Sequence, residues 1–592
     1  MNPTENAGNS FQGIAVSPGI GIGRVMKLAG SGSVAPDRIE LSEAEIPGEL
    51  QRLRTAVAAT ERQMIALQEE LRDRLNDNDA RIFAAHLMLV KDNSFLGEIE
   101  KRITSEHCNA EYALYGALNY FQNIFSAIKD EYLRERALDL RDVGARLMDN
   151  LRADSAAMMD LDDQRVIIAA TLTPSETARL DSSKVLGFVL ENGSVTSHTA
   201  ILARSLNLPA VVGIPGIALT NLCAADRVIV DGFTGRVIVN PDSRTEEAYR
   251  LKARAADEFH SRLNAEPELP PETIDGFTIP LALNLDSAVC DVSTLKQSGI
   301  AGIGLVRTEF MFINGGRLPS EDEQVEIYRK LLIGAGDLPV VIRTMDIGGD
   351  KTASGISPIS EDNPFLGLRG IRLALRGRRD LFRIQLRALL RAGVSGNLRV
   401  MIPMVTSVSE VWETREIINQ VSEELESEGV EHLRDFPLGV MIETPGAAMI
   451  AGDLSYICDF FSIGTNDLVQ YTRAIDRGNE HVSYLYHPAH PSVLKLIKAA
   501  VEGARTGGIP VTVCGQMAAD PAQAVLLAGL GVNELSMVES AIPLVRRTIR
   551  SVSMYDAVRI AEAALERART ADVEELLGSV FEEQFPELGG LR

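Results

Sequence analysis

Eight short apolar runs, each followed by a stretch of helical periodicity, occupy the chain from Ile274 onward and leave it few ways to fold. They are Ile279–Leu285, Gly302–Thr308, Val340–Asp346, Leu398–Met404, Leu438–Glu443, Phe460–Gly464, Val511–Gly515 and Glu534–Met537. Runs of this length bounded by turn signals read as buried strands. Between them, Pro364–Leu375, Leu381–Arg391, Val408–Glu428, Pro491–Gly503 and Pro521–Leu527 carry helical patterns. Eight strand–helix units in about 320 residues predict a (β/α)8 TIM barrel, assigned to residues 271–592.

The C-terminal ends of barrel strands line the active site, and here those ends are polar. Strand two ends in Arg307-Thr308-Glu309, strand three in Arg343-Thr344-Met345-Asp346 and strand five in Glu443. Strand six ends in Asn466-Asp467, with Arg473 and Arg477 beyond, and strand seven in Cys514-Gly515-Gln516. Arginines fork onto carboxylate and phosphate oxygens. Glu443 and Asp467 are hard oxygen donors of the kind Mg2+ takes together with substrate phosphate. The alternative is a structural ion-pair ring of Arg307, Arg343, Glu443 and Asp467. Two arginines and two acids at one mouth more often bind a ligand, so a small, phosphorylated acid is the better reading. Cys514 is equally compatible with inert packing and with an acid–base role.

The first half is organised differently. Residues 1–12 read as a flexible tail, and Gly13–Leu28 as strand, turn, strand. Gly19, Gly21 and Gly23 lack the spacing and the following helix of a dinucleotide loop. Residues 45–153 have helical periodicity, with Leu53, Val57, Met64, Leu67 and Leu71 at three- and four-residue steps. Asp77-Asn78-Asp79 breaks that run before a helix starting near Ala80, and further helices are expected over Phe95–Ser105, Asn109–Ala127 and Asp130–Asn150. This predicts a helical bundle. Strands return at Val166–Ala170 and Val185–Leu190, then at Ala210-Val211-Val212-Gly213 and in a hairpin over Arg227–Asn240, with a helix over Thr173–Leu180. Residues 13–44 and 154–241 therefore form one α/β domain with the bundle inserted into it. A charged helical linker over 242–270 leads to the barrel.

Inside that α/β domain, Gly193-Ser194-Val195-Thr196-Ser197-His198-Thr199 joins a buried strand to a short helix over Thr199–Leu206. Backbone N–H groups at a helix start, with flanking hydroxyls, cradle phosphate. A neutral imidazole there can attack phosphorus. A lone histidine is more often structural, but this flanking pattern favours a nucleophile.

The formal net charge of -23, from 59 Lys+Arg against 82 Asp+Glu, disfavours nucleic acid or an anionic membrane as partner. Cys108, Cys223, Cys290, Cys458 and Cys514 form no CxxC pair, which argues against a disulfide framework or a zinc site and for a reducing, cytoplasmic compartment. The start MNPTENAGNSFQG lacks a secretory pattern. No apolar run approaches the ~20 residues of a membrane span.

Seven blocks stand in order along the chain: GSVTSHTAILARSLNLPAVVG (193–213), GIGLVRTEFMF (302–312), VIRTMDIGGDK (341–351), NPFLGLRGIR (363–372), VMIETPGAA (440–448), FFSIGTNDLVQYTRAIDRGN (460–479) and VCGQMAAD (513–520). Together they resemble the enzyme I family, the phosphoenolpyruvate-protein phosphotransferases of the bacterial sugar phosphotransferase system. The resemblance implies a phosphohistidine α/β domain, an inserted carrier-binding bundle and a barrel that binds phosphoenolpyruvate (PEP). It implies that His198 takes the phosphoryl group, that Arg307, Arg343, Asn466, Asp467 and Arg477 bind PEP, and that Glu443 and Asp467 hold Mg2+. Cys514 would protonate the enolate carbon to give pyruvate. The phosphocarrier HPr would then accept the phosphoryl group as the first step of sugar uptake, docking near His86, Met88, Leu89 and Arg136. The barrel would carry a homodimer interface, and the histidine domain would swing about residues 242–270. Gln516 stands where the family often has Glu. The alternatives are the regulatory, nitrogen-type branch, disfavoured by the short stretch before Gly13, and a PEP synthase or pyruvate phosphate dikinase relative, for which no Gly-rich ATP-binding segment is present.

Overall fold

The computed structural model describes residues 10–28, 36–71, 93–127, most of 143–151, 163–192 except 171 and 173–183, 203, 208–217, 222–265 except 224, 269–285, 299–313, 317–348, and 361–584 except 478, 480 and 481. His198, the helix expected over Thr173–Leu180, the helix expected to start near Ala80, and His86, Met88, Leu89 and Arg136 lie outside the described residues. The chain divides into two compact units, with the boundary between Ala256 and Asp257.

In the first unit the strands are β1 (Ser10–Gln12), β2 (Ile14–Ser17), β3 (Ile20–Leu28), β4 (Arg165–Ala169), β5 (Val185–Leu190), β6 (Ala210–Val212), β7 (Arg227–Asp231) and β8 (Arg236–Val239). They form one sheet in the order β1-β8-β7-β3-β4-β5-β6-β2. Ser10–Gln12 was expected in the tail. It is instead an edge strand, because its backbone pairs antiparallel with β8, Phe11 facing Val237. The central strands are apolar on both sides: Ile167 and Phe188 enter one core, and Val166, Ile168 and Val189 the other. Gly21 is not part of a nucleotide loop. It lies in β3 and lets the backbone of β5 come close, since a Cβ there would stand 2.1 Å from the Leu186 carbonyl oxygen.

Neighbouring strands β3 and β4 run parallel, and between them the chain leaves the sheet to build helices α1 (Ile46–Leu71), α2 (Asn93–Glu106) and α3 (Ala110–Ala127). Leu53, Met64, Ile99, Ile103, Leu114 and Leu147 share their core. These positions recur at helical spacing, so one stripe of each helix is buried. Helix α4 (Ser243–Ala265) contains the boundary between the two units.

The second unit is a closed barrel of eight strands, with every neighbouring pair parallel. The strands are β9 (Leu281–Leu285), β10 (Gly302–Val306), β11 (Val340–Arg343), β12 (Leu398–Ile402), β13 (Leu438–Ile442), β14 (Phe460–Ile463), β15 (Val511–Val513) and β16 (Glu534–Met537). Several expected strands ran one to three residues too far. Thr308, Asp346, Glu443 and Gly515 lie past the ends of the ladders, where the chain turns outward and its side chains reach the mouth. Leu305, Val341, Met401, Met441, Phe460 and Cys514 pack as one buried cluster.

Three outer helices bear on the site: α5 (Glu321–Ala335), α6 (Arg379–Gly393) and α7 (Val408–Ser427). A capping box of Ser320 and Glu323 starts α5. On α6, Arg379, Arg383, Arg387 and Arg391 stand four residues apart on one face and pair with Glu413, Glu424, Glu428 and Glu321. Its other face carries buried Leu381, Phe382, Gln385, Leu386 and Leu389. Among the described residues no helix is long and apolar enough to cross a membrane.

Candidate active site

The barrel mouth is built in two layers. The deeper one is an ion-pair chain. Arg343 at the end of β11 bonds Glu309 and lies 3.2 Å from Asp346. Arg369, completely buried, continues the chain to Asp467. Its Nε and Nη2 donate to the two Asp346 oxygens, both at 3.1 Å. Nη1 and Nη2 donate to the two Asp467 oxygens at 3.0 and 3.2 Å, and Nη1 also donates to the Tyr471 hydroxyl at 3.1 Å. All five guanidinium N–H groups are therefore used. Gly370, at φ 57°, makes the turn beside Arg369, and a Cβ there would lie 2.9 Å from that of Met404.

The second layer lies nearer solvent. Arg307 and Arg477 are half-buried, and Arg477 Nη1 lies 4.0 Å from Asp467 Oδ2. Asn466 accepts the Gln516 backbone N–H at 3.1 Å. That contact is made by main chain while the Gln516 side chain is exposed, so the departure from Glu at 516 leaves it intact. Asn284 donates to the Cys514 carbonyl at 3.0 Å and holds the strand that carries the thiol.

Arg343 has capacity left over. Its buried Nε–H meets no hydrogen-bond acceptor, and Nη1 finds only the Met441 sulfur at 3.5 Å. A buried guanidinium with unspent donors is a costly arrangement unless a ligand completes it. The ion-pair ring weighed from sequence is thus partly real, but it is the floor of the site: Asp346 and Arg369, absent from that ring, carry it.

The charges set each other's protonation. Burial, then Asp467 and Asp346, push the Glu443 carboxyl up to about 8. Its Oε1 accepts the Met404 N–H at 2.6 Å, an N–H aimed by a positive φ of 59° that a side chain as large as methionine adopts only under constraint. Gly464 leaves room for this carboxyl, because a Cβ there would sit 2.9 Å from Glu443 Oε2. Burial also works against ionised Asp467, but Arg369 and Arg477 outweigh it and hold that carboxyl below its usual range. Burial opposes the charge of Arg343 too, and Glu309, Asp346, Glu443 and Asp467 keep it firmly protonated. The Cys514 thiol is raised by burial, against the pull of neighbouring Ser462 and of Arg343, so it stays a thiol at neutral pH.

The structure thus brings Arg307, Arg343, Glu443, Asp467, Arg477 and Cys514 into one electrostatic neighbourhood. Four arginines, Arg307, Arg343, Arg369 and Arg477, converge on this cluster, which suits an anion. Glu443 and Asp467 offer two carboxylates to a divalent cation, the number Mg2+ commonly takes from protein when phosphate and water supply the rest. Among the described residues no group of three or more His, Cys, Asp or Glu is placed to hold a metal alone. Sequence reasoning gave no role to Arg369, Asp346, Glu309 or Asn284. The available signal was a single arginine in an apolar, Gly-flanked segment, Leu366-Gly367-Leu368-Arg369-Gly370-Ile371.

A parallel barrel whose mouth carries this cluster is the binding half of an enzyme for a small anion, and comparison with known proteins says which. Three family models match: PEP-utilising enzyme, PEP-binding domain, over residues 260–554; PEP-utilising enzyme, N-terminal, over 12–136; and PEP-utilising enzyme, mobile domain, over 161–235. The chain is 39% identical over 570 residues to the phosphoenolpyruvate-protein phosphotransferase of Haemophilus influenzae, covering 96% of this chain and 98% of that one. It is 39% identical over 573 residues to the protein of the same name from Geobacillus stearothermophilus, covering 97% and 98%. Against that from Listeria monocytogenes it is 39% identical over 571 residues, covering 96% and 98%. The chain belongs to the phosphoenolpyruvate-protein phosphotransferase family. It is a PEP-utilising transferase, and such enzymes generally need a divalent metal.

Proposed function

We propose that the chain transfers the phosphoryl group of PEP to its own His198, releases pyruvate, and passes the group to a histidine of an HPr-type carrier as the first step of sugar uptake. The observation that carries this reading is Arg343, buried in the barrel mouth with unspent N–H donors beside Arg307, Glu443, Asp467 and Cys514. Arg307, Arg343 and Arg477, with Asn466, bind the carboxylate and phosphate of PEP. Glu443 and Asp467 hold Mg2+, which when bound neutralises charge on the PEP oxygens. A His198 ring nitrogen bonds to phosphorus as the bridging P–O bond breaks. The electron pair remains on the enolate, whose terminal carbon takes a proton from Cys514 Sγ. The thiolate then recovers a proton from water. Donors fixed in place before the reaction cost no reorganisation during it.

The histidine domain swings about residues 242–270, a segment that contains the boundary between the two compact units. The carrier docks near His86, Met88, Leu89 and Arg136. The protein works in the cytoplasm as a homodimer joined through its barrel.

The test is incubation with labelled PEP, with and without Mg2+, followed by a panel of HPr-type carriers. Acid-labile label on the wild type but not on His198→Ala is expected, and label retained by the variant would sink the assignment. Transfer to a sugar-type or to a nitrogen-type carrier separates the two branches. Cys514→Ala is expected to slow pyruvate release by roughly 10²–10⁴-fold. Coupled lactate dehydrogenase measures it, and unchanged release would remove the thiol from the mechanism.

A further inference from the structure

We propose that Gln385, on α6 and outside the mouth, is a positioning residue that sets where Arg307 and Arg343 stand relative to each other. Its side chain is fully buried, and its carboxamide reaches three separate elements. Oε1 accepts the Met345 N–H at 2.9 Å, just past the end of β11. Nε2 donates to the Thr308 hydroxyl, just past the end of β10, and to the Tyr328 hydroxyl on α5, both at 3.1 Å. Thr308, also fully buried, donates its own hydroxyl proton to the Arg343 carbonyl at 2.8 Å. The Tyr328 hydroxyl in turn donates to Gln324 Oε1 at 3.3 Å. Every proton in the chain is directed, because Met345 N–H admits only an acceptor and so orients the amide.

Thr308 lies between Arg307 and Glu309, and Met345 between Arg343 and Asp346. One carboxamide thus ties the two strand ends that carry the mouth's first two arginines, and does so from the helix behind them. Catalytic geometry tolerates little error, since a misplacement of ~1 Å costs on the order of 100-fold. A glutamate at this position cannot fully substitute: kept protonated by burial, it offers one O–H in place of two N–H donors, so the bond to Thr308 or the bond to Tyr328 is lost. The inference rests on the reading of Arg307 and Arg343 as PEP ligands.

The experiment measures KM for PEP, kcat of pyruvate release and thermal melting for a set of full-length variants. Gln385→Leu, Gln385→Glu and Thr308→Val are expected to raise KM about 10- to 100-fold at a temperature where each is folded. Thr308→Ser keeps both hydrogen bonds and should restore KM to within about twofold of wild type, as rescue of a lost geometry requires. Leu389→Ala, one turn along the same buried face, should lower the melting temperature and leave KM unchanged. A Gln385→Leu protein with wild-type KM would overturn the proposal, as would Thr308→Ser behaving like Thr308→Val. If Gln385→Leu does not fold, the two Thr308 variants decide. Arg343→Lys separates the layers. If it leaves KM unchanged, the PEP-binding reading fails. If it raises KM while the Gln385 and Thr308 variants do not, only the positioning role fails.

Discussion

Arg369→Met is expected to lower stability by roughly 3–5 kcal/mol and to abolish PEP turnover. Removing one partner of a buried ion pair leaves the other charge uncompensated, and costs of that size follow. Here the loss is compounded, because one guanidinium neutralises both Asp346 and Asp467, each almost fully buried. The carboxyl of Asp467 is held ionised chiefly by Arg369. Without it, burial favours protonation, and a proton occupies the oxygen that we propose binds the metal. Arg369→Lys is expected to fare little better. An ammonium has three donors on a flexible stem and cannot fork across two carboxylates and a tyrosine hydroxyl. Denaturant melts and PEP-dependent pyruvate release measure both effects. A double-mutant cycle with Asp346→Asn should show strong coupling, with the double variant less destabilised than the sum of the singles. Additive losses would contradict the shared ion-pair chain.

The metal-free protein is expected to lose stability as pH rises from about 5 to about 8, through Glu443. Burial and the neighbouring Asp467 and Asp346 raise its carboxyl to about 8 in the folded chain. In the unfolded chain it ionises near the ordinary glutamate value of about 4.3. Below that value both states hold the proton and the contribution is fully present. Through the window the unfolded state gives the proton up while the folded state keeps it, so folding weakens by up to ~1.4 kcal/mol per pH unit, levelling off above about 8. A divalent cation reverses the trend by binding the ionised carboxylate, and it does so more tightly as pH rises. Thermal melts at pH 6 and 8.5, with and without Mg2+, should show the larger metal-dependent gain at 8.5. Glu443→Gln should lose that gain and, without metal, melt higher than wild type at pH 8.5. The amide still accepts the Met404 N–H and carries no charge to bury. Equal metal-dependent gains in wild type and variant would remove Glu443 from the metal site.

How far the site was legible in sequence depends on what each residue does. Arg307, Arg343, Glu443, Asp467 and Cys514 stand at or just past strand ends, and strand ends are visible as the point where an apolar run turns polar. Arg369 follows no strand. It comes from the loop before α6 and enters the mouth through a turn that depends on Gly370. Gln385 stands in the apolar stripe of an outer helix, four residues after Leu381 and four before Leu389, so its spacing points it inward but says nothing of what its amide meets. Its partners Met345, Thr308 and Tyr328 are 40, 77 and 57 residues away, distances that only the closed barrel spans. Ser10–Gln12 was missed for a related reason. A three-residue edge strand has too little pattern of its own and is defined by the β8 backbone it meets.

The sequence by itself determined the eight strands, the insertion of helices between two sheet strands, and the residue types at the barrel mouth. Hydrophobic periodicity and the position of charged residues along one strand are local properties. Tertiary structure decided the order of the sheet, the protonation of Glu443, and the ion-pair chain under the arginines. Those depend on which distant groups share a dry volume. Charge in such a volume is governed by its neighbours across the barrel, and neighbours in sequence carry little of that information.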